Sequence, residues 1–417
     1  MHIVLLNDDA LATAKGGAKG GAVVIVDNLR RSFAAAGHTV TFITTHRSES
    51  TDDIVRTEDA SGATISIGVS YPLKHRHRMC LRIPHVSAHL QNLLSELKPD
   101  VVNAHNIHTY LTYDSLRVAR KHTNTIFLTA HDTYLVSFDR VRGAAYERLA
   151  LQGNGWRMHW WNHVASAGRK YWPLRNPTIR SILRKNAVQV IGISVATKRF
   201  LEVNGIPVSA VIRNGIPLPT MPTDHDVVEF RRTHGLTGPT ILFAGRIRED
   251  KGIGALLDAA TIAQKEISNL HILVAGDRVR MERFLRERPA FVRSMVTTTD
   301  WLSQEEMPLC YCSADIVAVP SLYLDNFPTV NLEASAFKRP IIGTPFGGTP
   351  EAVLDRETGI IENPKNTEAF AQAIMMLVRD KAAQERMGQK GRERIAGEFT
   401  LQKQGEHYLS LFAERNG

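Results

Sequence analysis

Two doubly wound, Rossmann-like α/β domains are the fold class this sequence predicts, and three observations lead there. Short apolar runs such as Thr125–Ala130, Thr240–Ala244 and Ala314–Val319 end in turns and are followed by segments of helical spacing, the alternation that builds parallel sheets. The length of 417 residues fits two or three domains. Near the middle, Arg213-Asn-Gly-Ile-Pro-Leu-Pro219 reads as a turn and linker, because Asn-Gly and two prolines interrupt any regular element. The expected division is a first domain over 1–215 and a second over 216–396.

Composition narrows the function classes. Apolar residues make up 43%, enough for full cores. The net charge of +9 calls for an anionic partner: nucleic acid, anionic lipid or a phosphorylated ligand. No helix-turn-helix, zinc-finger or RNA-binding signature is present, so nucleic acid is not expected as a partner. Cys80, Cys310 and Cys312 lack metal spacing and read as reduced cytosolic thiols. The N-terminus lacks a signal-peptide shape and no apolar run approaches a membrane span, so a cytoplasmic, soluble or membrane-peripheral protein is expected.

In the first domain, His2–Leu6 reads as a strand and Lys15-Gly-Gly-Ala-Lys-Gly-Gly-Ala22 as a glycine-rich loop. An amphipathic helix over Val23–Ala36 closes at Gly37, and Val40–Thr44 is the next strand. The loop lacks dinucleotide G-x-G-x-x-G spacing, so no nicotinamide cofactor is indicated. Taken alone it is equally a plain flexible turn. Residues 46–62 read as a polar loop, Ala63–Val69 as a strand, and Lys74-His-Arg-His-Arg78 as a basic run that is either a ligand-facing patch or a solvated loop. A helix over Ile83–Leu97 stops at Pro99, and the strand at Asp100–Ala104 leads into His105 and His108. No carboxylate or cysteine is spaced to complete a metal site with them. Thr125–Ala130 ends in His131-Asp132, read either as an active-site pair or as a capping acid beside a surface histidine. Residues 135–175 hold four of the five tryptophans among arginines and histidines. That mixture suits a membrane interface, a sugar platform, or aromatic packing of an insertion. Helix Ile179–Lys185, strand Val188–Gly192, a helix capped by Ser194 and strand Val208–Ile212 complete the domain.

The second domain opens with a helix near 226–234 and the strand Thr240–Ala244. Gly245-Arg246 and Lys251-Gly252 then bound a turn before a helix over Ile253–Glu266, a cationic, glycine-flanked setting suited to a diphosphate. Strands follow at Leu270–Ala275 and Phe291–Val296, with a capping box at Ser303 and Glu306. The central unit runs from Ala314 to Glu351: strand, loop, a helix over Thr329–Phe337, strand Pro340–Gly343, and the turn Phe346-Gly347-Gly348 before a helix start. Ligands bind at the carboxyl ends of such strands, and Asp325 and Glu333 stand there with seven residues between them. The turn's backbone N–H groups are expected to meet an anion. Gly359–Ile361 is a last strand, with helices over 366–379, 383–395 and the tail.

These motifs resemble the nucleotide-sugar site of retaining glycosyltransferases of the two-domain GT-B fold, family-4 type. The shared pattern is Gly-Arg, a short run, Lys-Gly, then acid, seven residues, Glu, Ala-x-Ala and a Gly-Gly loop. Asp325 departs from it, since Glu is usual there. The resemblance implies two domains facing a cleft, with the tail over about 397–417 returning to the first domain. It implies a sugar transferase using a UDP- or GDP-sugar type of donor, with no cofactor and no metal. The implied donor-binding residues are Gly20, Gly21, Arg246, Lys251, Asp325, Asn326, Phe327, Glu333, Gly347 and Gly348. Those implied in catalysis are His131, Arg246, Lys251 and Asp325, and replacing Lys251 is expected to leave folding intact. The acceptor would be a sugar or lipid-linked glycan in polysaccharide or glycolipid synthesis, with peripheral membrane contact. A GT-B epimerase, a phosphorylase or a non-catalytic sugar-nucleotide or polyanion binder share parts of the pattern, although no lysine setting for a pyridoxal group is evident.

Overall fold

A computed structural model describes residues 1–9, 21–154, 156–303 and 305–416. The chain divides into two compact units. The first comprises Met1–Val141, Gly153–Gly215 and Leu401–Gly417; the second comprises Arg142–Gln152 and Ile216–Thr400. Both are parallel-sheet α/β units.

In the first unit the strands are β1 (His2–Leu6), β2 (Thr39–Arg47), β3 (Ile54–Asp59), β4 (Gly62–Val69), β5 (Val101–Ala104), β6 (Thr125–Ala130), β7 (Gln189–Gly192) and β8 (Ala210–Val211). Their order across the sheet is β3-β4-β2-β1-β5-β6-β7-β8. Every pairing is parallel except β3 with β4. That order reverses beside β1, between β1 and β5, the kind of switch point at which open α/β sheets bind ligands. The polar stretch 46–62 is therefore not all loop: its middle is the edge strand β3, five of whose six residues are exposed. The helix Gly21–Ala35 packs on the sheet through Ile25, Val26, Leu29 and Phe33. The tail helix Leu401–Asn416 adds Tyr408 and Phe412 to the same core, edge-on to Phe33. Tyr408 also bonds Thr129 on β6 through its hydroxyl at 3.2 Å.

In the second unit the strands are β9 (Thr240–Ala244), β10 (His271–Ala275), β11 (Val296–Asp300), β12 (Ile316–Val319), β13 (Ile341–Gly343) and β14 (Gly359–Ile361), ordered β11-β10-β9-β12-β13-β14. All pairings are parallel. Residues 290–294 are a helix instead of the expected strand, started by Pro289, and the strand begins only at Val296. Ser303 and Glu306 make the reciprocal capping bonds at 2.9 and 3.2 Å, ahead of the helix Met307–Ser313. Cys310 and Cys312 lie on that helix as buried free thiols.

The unit boundaries differ from the sequence expectation at one internal segment. Residues 142–152 group with the second unit, and within them Ala144–Leu151 is a helix. Among the described residues no helix is long and apolar enough to cross a membrane.

Candidate functional site

The second unit gathers its polar residues at the carboxyl ends of β9, β12 and β13. After β9 the chain turns at Gly245, whose φ is +131°, and passes Arg246, which is exposed. A short turn over Glu249–Lys251 ends at Gly252. A Cβ at Gly252 would lie 1.9 Å from the Pro320 carbonyl oxygen, and its φ of +79° is left-handed, so only glycine fits. This close approach, with the Leu322 N–H donating to the Asp250 carbonyl at 2.8 Å, fastens the β9 turn to the β12 loop.

The fastening sets Lys251 against Asp325. The Lys251 Nζ stands 2.6 Å from Asp325 Oδ2, which also accepts from the Ser321 hydroxyl at 3.0 Å. The ammonium lies 5.3 Å from the centre of the Tyr323 ring. Burial pulls the lysine pKa down, but the Asp325 carboxylate together with Tyr323 outweighs it and holds the pKa above the usual range. For Asp325 burial is likewise outweighed by Lys251 with the Ser321 and Tyr323 hydrogen bonds, and its pKa is lowered. The pair is thus a fixed, fully ionised dipole.

Glu333, on the helix Thr329–Ala336, accepts a hydrogen bond from the Tyr311 hydroxyl at 2.7 Å. Asn326 and Phe327 are buried, and the Phe327 ring packs on Phe399, so Phe327 can meet a ligand only through its backbone. The turn Phe346–Gly348 lies on the Asp325–Phe327 backbone. A Cβ at Gly347 or Gly348 would come within 2.1 Å or 2.0 Å of the carbonyl oxygens of Asp325 and Asn326. Each N–H of the turn has a partner inside the unit. Phe346 donates to Thr344 Oγ1 at 3.3 Å, Gly347 to the Tyr146 hydroxyl at 3.0 Å, and Gly348 to the Asp325 carbonyl at 2.8 Å. In this conformation the turn's N–H groups, expected to meet an anion, are each bonded within the unit.

In the first unit, His131 follows β6 and His105 follows β5. His131 Nε2 and His105 Nδ1 are 2.8 Å apart, with the rings stacked at 5.1 Å between centres. Burial lowers the His131 pKa to about 4 against the opposing pull of Asp132, and lowers His105 well below its usual value. Both rings are neutral at neutral pH, so one donates to the other. His108 stacks on Tyr134 at 4.9 Å and lies 3.7 Å from Asp132. The Asp8 carboxylate accepts from the N–H groups of Thr109, Tyr110 and Leu111, which fixes the loop carrying His105 and His108. Gly20 lies outside the described residues, while Gly21 is the exposed first residue of its helix.

His105 and His108 stand at the carboxyl end of β5, where a hydrogen-bonding role is expected from the sequence, and His105 makes its bond to His131. Tyr146, Tyr311 and Ser321 carry no such signal in the sequence reading. Ser321 sits four residues before Asp325 and could have been found from the loop itself, while the two tyrosines are brought in by tertiary packing. Among the described residues no group of three or more His, Cys, Asp or Glu could hold a metal ion.

Comparison with known proteins agrees with this geometry. Residues 226–394 match the family model for glycosyl transferases group 1, and residues 19–219 match that for glycosyltransferase family 4. The alpha-D-kanosaminyltransferase of Streptomyces kanamyceticus is 28% identical over 190 residues, 45% of this chain and 48% of that protein. The capsular polysaccharide biosynthesis glycosyltransferase CapM of Staphylococcus aureus is 26% identical over 201 residues, 48% of this chain and 52% of that protein. The matched stretch thus spans about half the length of these curated relatives. Among solved structures, a sucrose-phosphate synthase of Thermosynechococcus elongatus superposes with a TM-score of 0.75 at 22% identity, over 99% of this chain and 98% of that one. HepE of Anabaena, solved in complex with UDP, superposes with a TM-score of 0.71 at 14% identity, over 99% and 100%. Two parallel-sheet units, an Arg-and-Lys turn after β9, an acid pair spaced by seven residues and two family models that between them span both units make this chain a group 1 glycosyltransferase of GT-B fold.

Proposed function

We propose that the protein transfers a sugar from a nucleotide-diphosphate donor to an acceptor hydroxyl, with retention at the anomeric carbon and without a divalent metal. The observation that carries this reading is the Lys251–Asp325 pair, fixed at 2.6 Å where the β9 and β12 loops meet. It puts a permanent cation beside a carboxylate suited to sugar hydroxyls, in a unit whose solved relatives include one in complex with UDP-glucose. In the reaction the bond from the anomeric carbon to the phosphate oxygen breaks, its electron pair leaving with the diphosphate. The acceptor oxygen bonds to that carbon, and its proton passes to the departing phosphate oxygen. Lys251 and Arg246 stabilise the charge that grows on the diphosphate, a preorganised electrostatic role. Glu333 holds the ribose hydroxyls, with Tyr311 fixing the carboxylate. Asp325 and the Phe346–Gly348 turn hold the donor sugar. His131, neutral and set by His105, offers a hydrogen bond near the reacting carbon. No side chain is assigned as a covalent nucleophile, so positioning supplies much of the rate.

A lipid-linked or membrane-proximal glycan is the acceptor class favoured. Residues 153–201 contain nine Lys and Arg and no Asp or Glu, equal to the whole chain's net charge of +9. In the same segment the helix Trp160–Ala167 exposes Trp160 at 64% and Trp161 at 52%. Exposed tryptophan within a basic surface is the pattern of interfacial binding, with each basic residue near anionic lipid contributing about 1 kcal/mol.

Incubation with a panel of radiolabelled UDP- and GDP-sugars tests the reading: transfer to a glycan or glycolipid extract supports it. Binding of nucleotide without turnover of any donor would point to a non-catalytic binder instead.

A further inference from the structure

The helix Ala144–Leu151 belongs to the second unit, although the chain on both sides of residues 142–152 belongs to the first. Gly143 and Gly153 bracket it with φ of +110° and +70°, conformations that glycine adopts without strain. Two neighbouring side chains hold the helix. The Glu147 carboxylate pairs with Lys365 at 2.6 Å. Tyr146 is 4% exposed, packs its ring on Phe346 at 6.1 Å between centres, and accepts from the Gly347 N–H at 3.0 Å.

The turn's other two N–H groups are engaged by its own neighbourhood: Gly348 by the Asp325 carbonyl, Phe346 by Thr344. Gly347 alone relies on a hydroxyl from some two hundred residues earlier in the chain. Its direction is fixed, because the φ of +68° and the approach to Asp325 leave the turn little freedom. The contact is part-buried, so a ligand oxygen that reaches the Gly347 N–H can replace Tyr146 there, while leaving the position empty forfeits a hydrogen bond.

We propose that Tyr146 is a donor-site positioning residue whose hydroxyl holds the Gly347 N–H until an oxygen of the donor's sugar takes its place. This rests on the donor site assigned above. The hydroxyl stays protonated throughout the neutral range, since burial and the charges of Asp325 and Glu147 raise its pKa. The contact therefore yields to a competing acceptor and not to pH. It also makes the free state of the turn compete with the sugar-bound state, while leaving the nucleotide's own contacts at Lys251 and Glu333 untouched.

Calorimetry on the full chain and on Tyr146→Phe, with UDP, UDP-glucose, GDP and GDP-mannose as probes, tests the proposal. Phenylalanine keeps the ring on Phe346 and removes the hydroxyl. The free state then has an unsatisfied N–H that the sugar restores, so the sugar nucleotide that binds wild type should bind the variant about tenfold tighter, and its parent nucleotide with unchanged affinity. Equal tightening of both, or unchanged or weaker sugar-nucleotide binding, overturns the assignment. If wild type binds none of the four probes, the donor-site reading itself fails and the role of Tyr146 falls with it. Should Tyr146→Phe fold poorly, Glu147→Gln loosens the same helix and leaves Gly347 in place. It must then tighten the sugar nucleotide severalfold relative to the nucleotide, and the absence of that difference overturns the proposal.

Discussion

Replacing Lys251 by methionine separates the two things this side chain does. Methionine matches the stem in length and removes the charge, leaving the Asp325 carboxylate to the Ser321 and Tyr323 side chains in place of an ammonium. Side-chain exposures of 26% for Lys251 and 13% for Asp325 mark a pair that is mostly, though not wholly, dry. Breaking a fully buried pair from one side costs about 3–5 kcal/mol, because the surviving charge stays desolvated. Partial solvent access places this site lower, at about 2–3 kcal/mol. Adding Asp325→Asn removes the stranded charge, so the double variant should recover most of that loss while remaining inactive. Urea denaturation followed by circular dichroism, with turnover measured in parallel, reads both effects. The reasoning is refuted if Lys251→Met is as stable as wild type, or if Lys251→Met/Asp325→Asn is no more stable than Lys251→Met.

Gly252→Ala would push a methyl to within 1.9 Å of the Pro320 carbonyl and hold alanine in left-handed backbone, so a loss of at least about 2 kcal/mol is expected, read as a drop in Tm. Phe412→Ala should destabilise the first unit by about 3–5 kcal/mol, since the ring is fully buried against Phe33 and Phe127; an unchanged urea midpoint would contradict the packing account. His131 and His163 have folded pKa values lowered to about 4 by burial, so the unfolded chain takes up protons first as pH falls. Stability should therefore be full above about pH 6.5 and decline toward pH 4, by at most about 1.4 kcal/mol per pH unit per histidine; a flat profile over that range would contradict it. Glu333→Gln should weaken nucleotide binding by about 1.5–3 kcal/mol through loss of a charge-assisted hydrogen bond, and unchanged affinity by calorimetry would remove Glu333 from the ribose role.

Much of this fold was legible because buried parallel strands announce themselves as apolar runs. Thr240–Ala244 and Thr125–Ala130 coincide with β9 and β6 residue for residue. β3 escaped because its outward-facing residues are polar and it gains its place by pairing with β4 at the sheet edge. Phe291–Val296 reads as strand because a short run carrying Phe291, Val292, Met295 and Val296 does not distinguish the two elements, and Pro289 starts a helix over Ala290–Ser294. At the donor loops the glycine positions were legible and their reason was not: Gly252, Gly347 and Gly348 are required by close backbone approach from Pro320, Asp325 and Asn326. The structural role of Lys251 was equally hidden. Sequence spacing displays a free cation near an acid, and only folding shows the two in contact across seventy-four residues. Tyr146 lies beyond any local pattern, since its partner Gly347 is in the other half of the chain.

The central claim is metal-independent transfer with retention, and one measurement bears on it most directly. Proton NMR of the product formed from an α-linked donor found in the panel, in excess EDTA, reports the anomeric configuration and the rate together. The account predicts an α-linked product at a rate unaffected by EDTA. A β-linked product, or activity lost in EDTA and restored by magnesium or manganese, would contradict it.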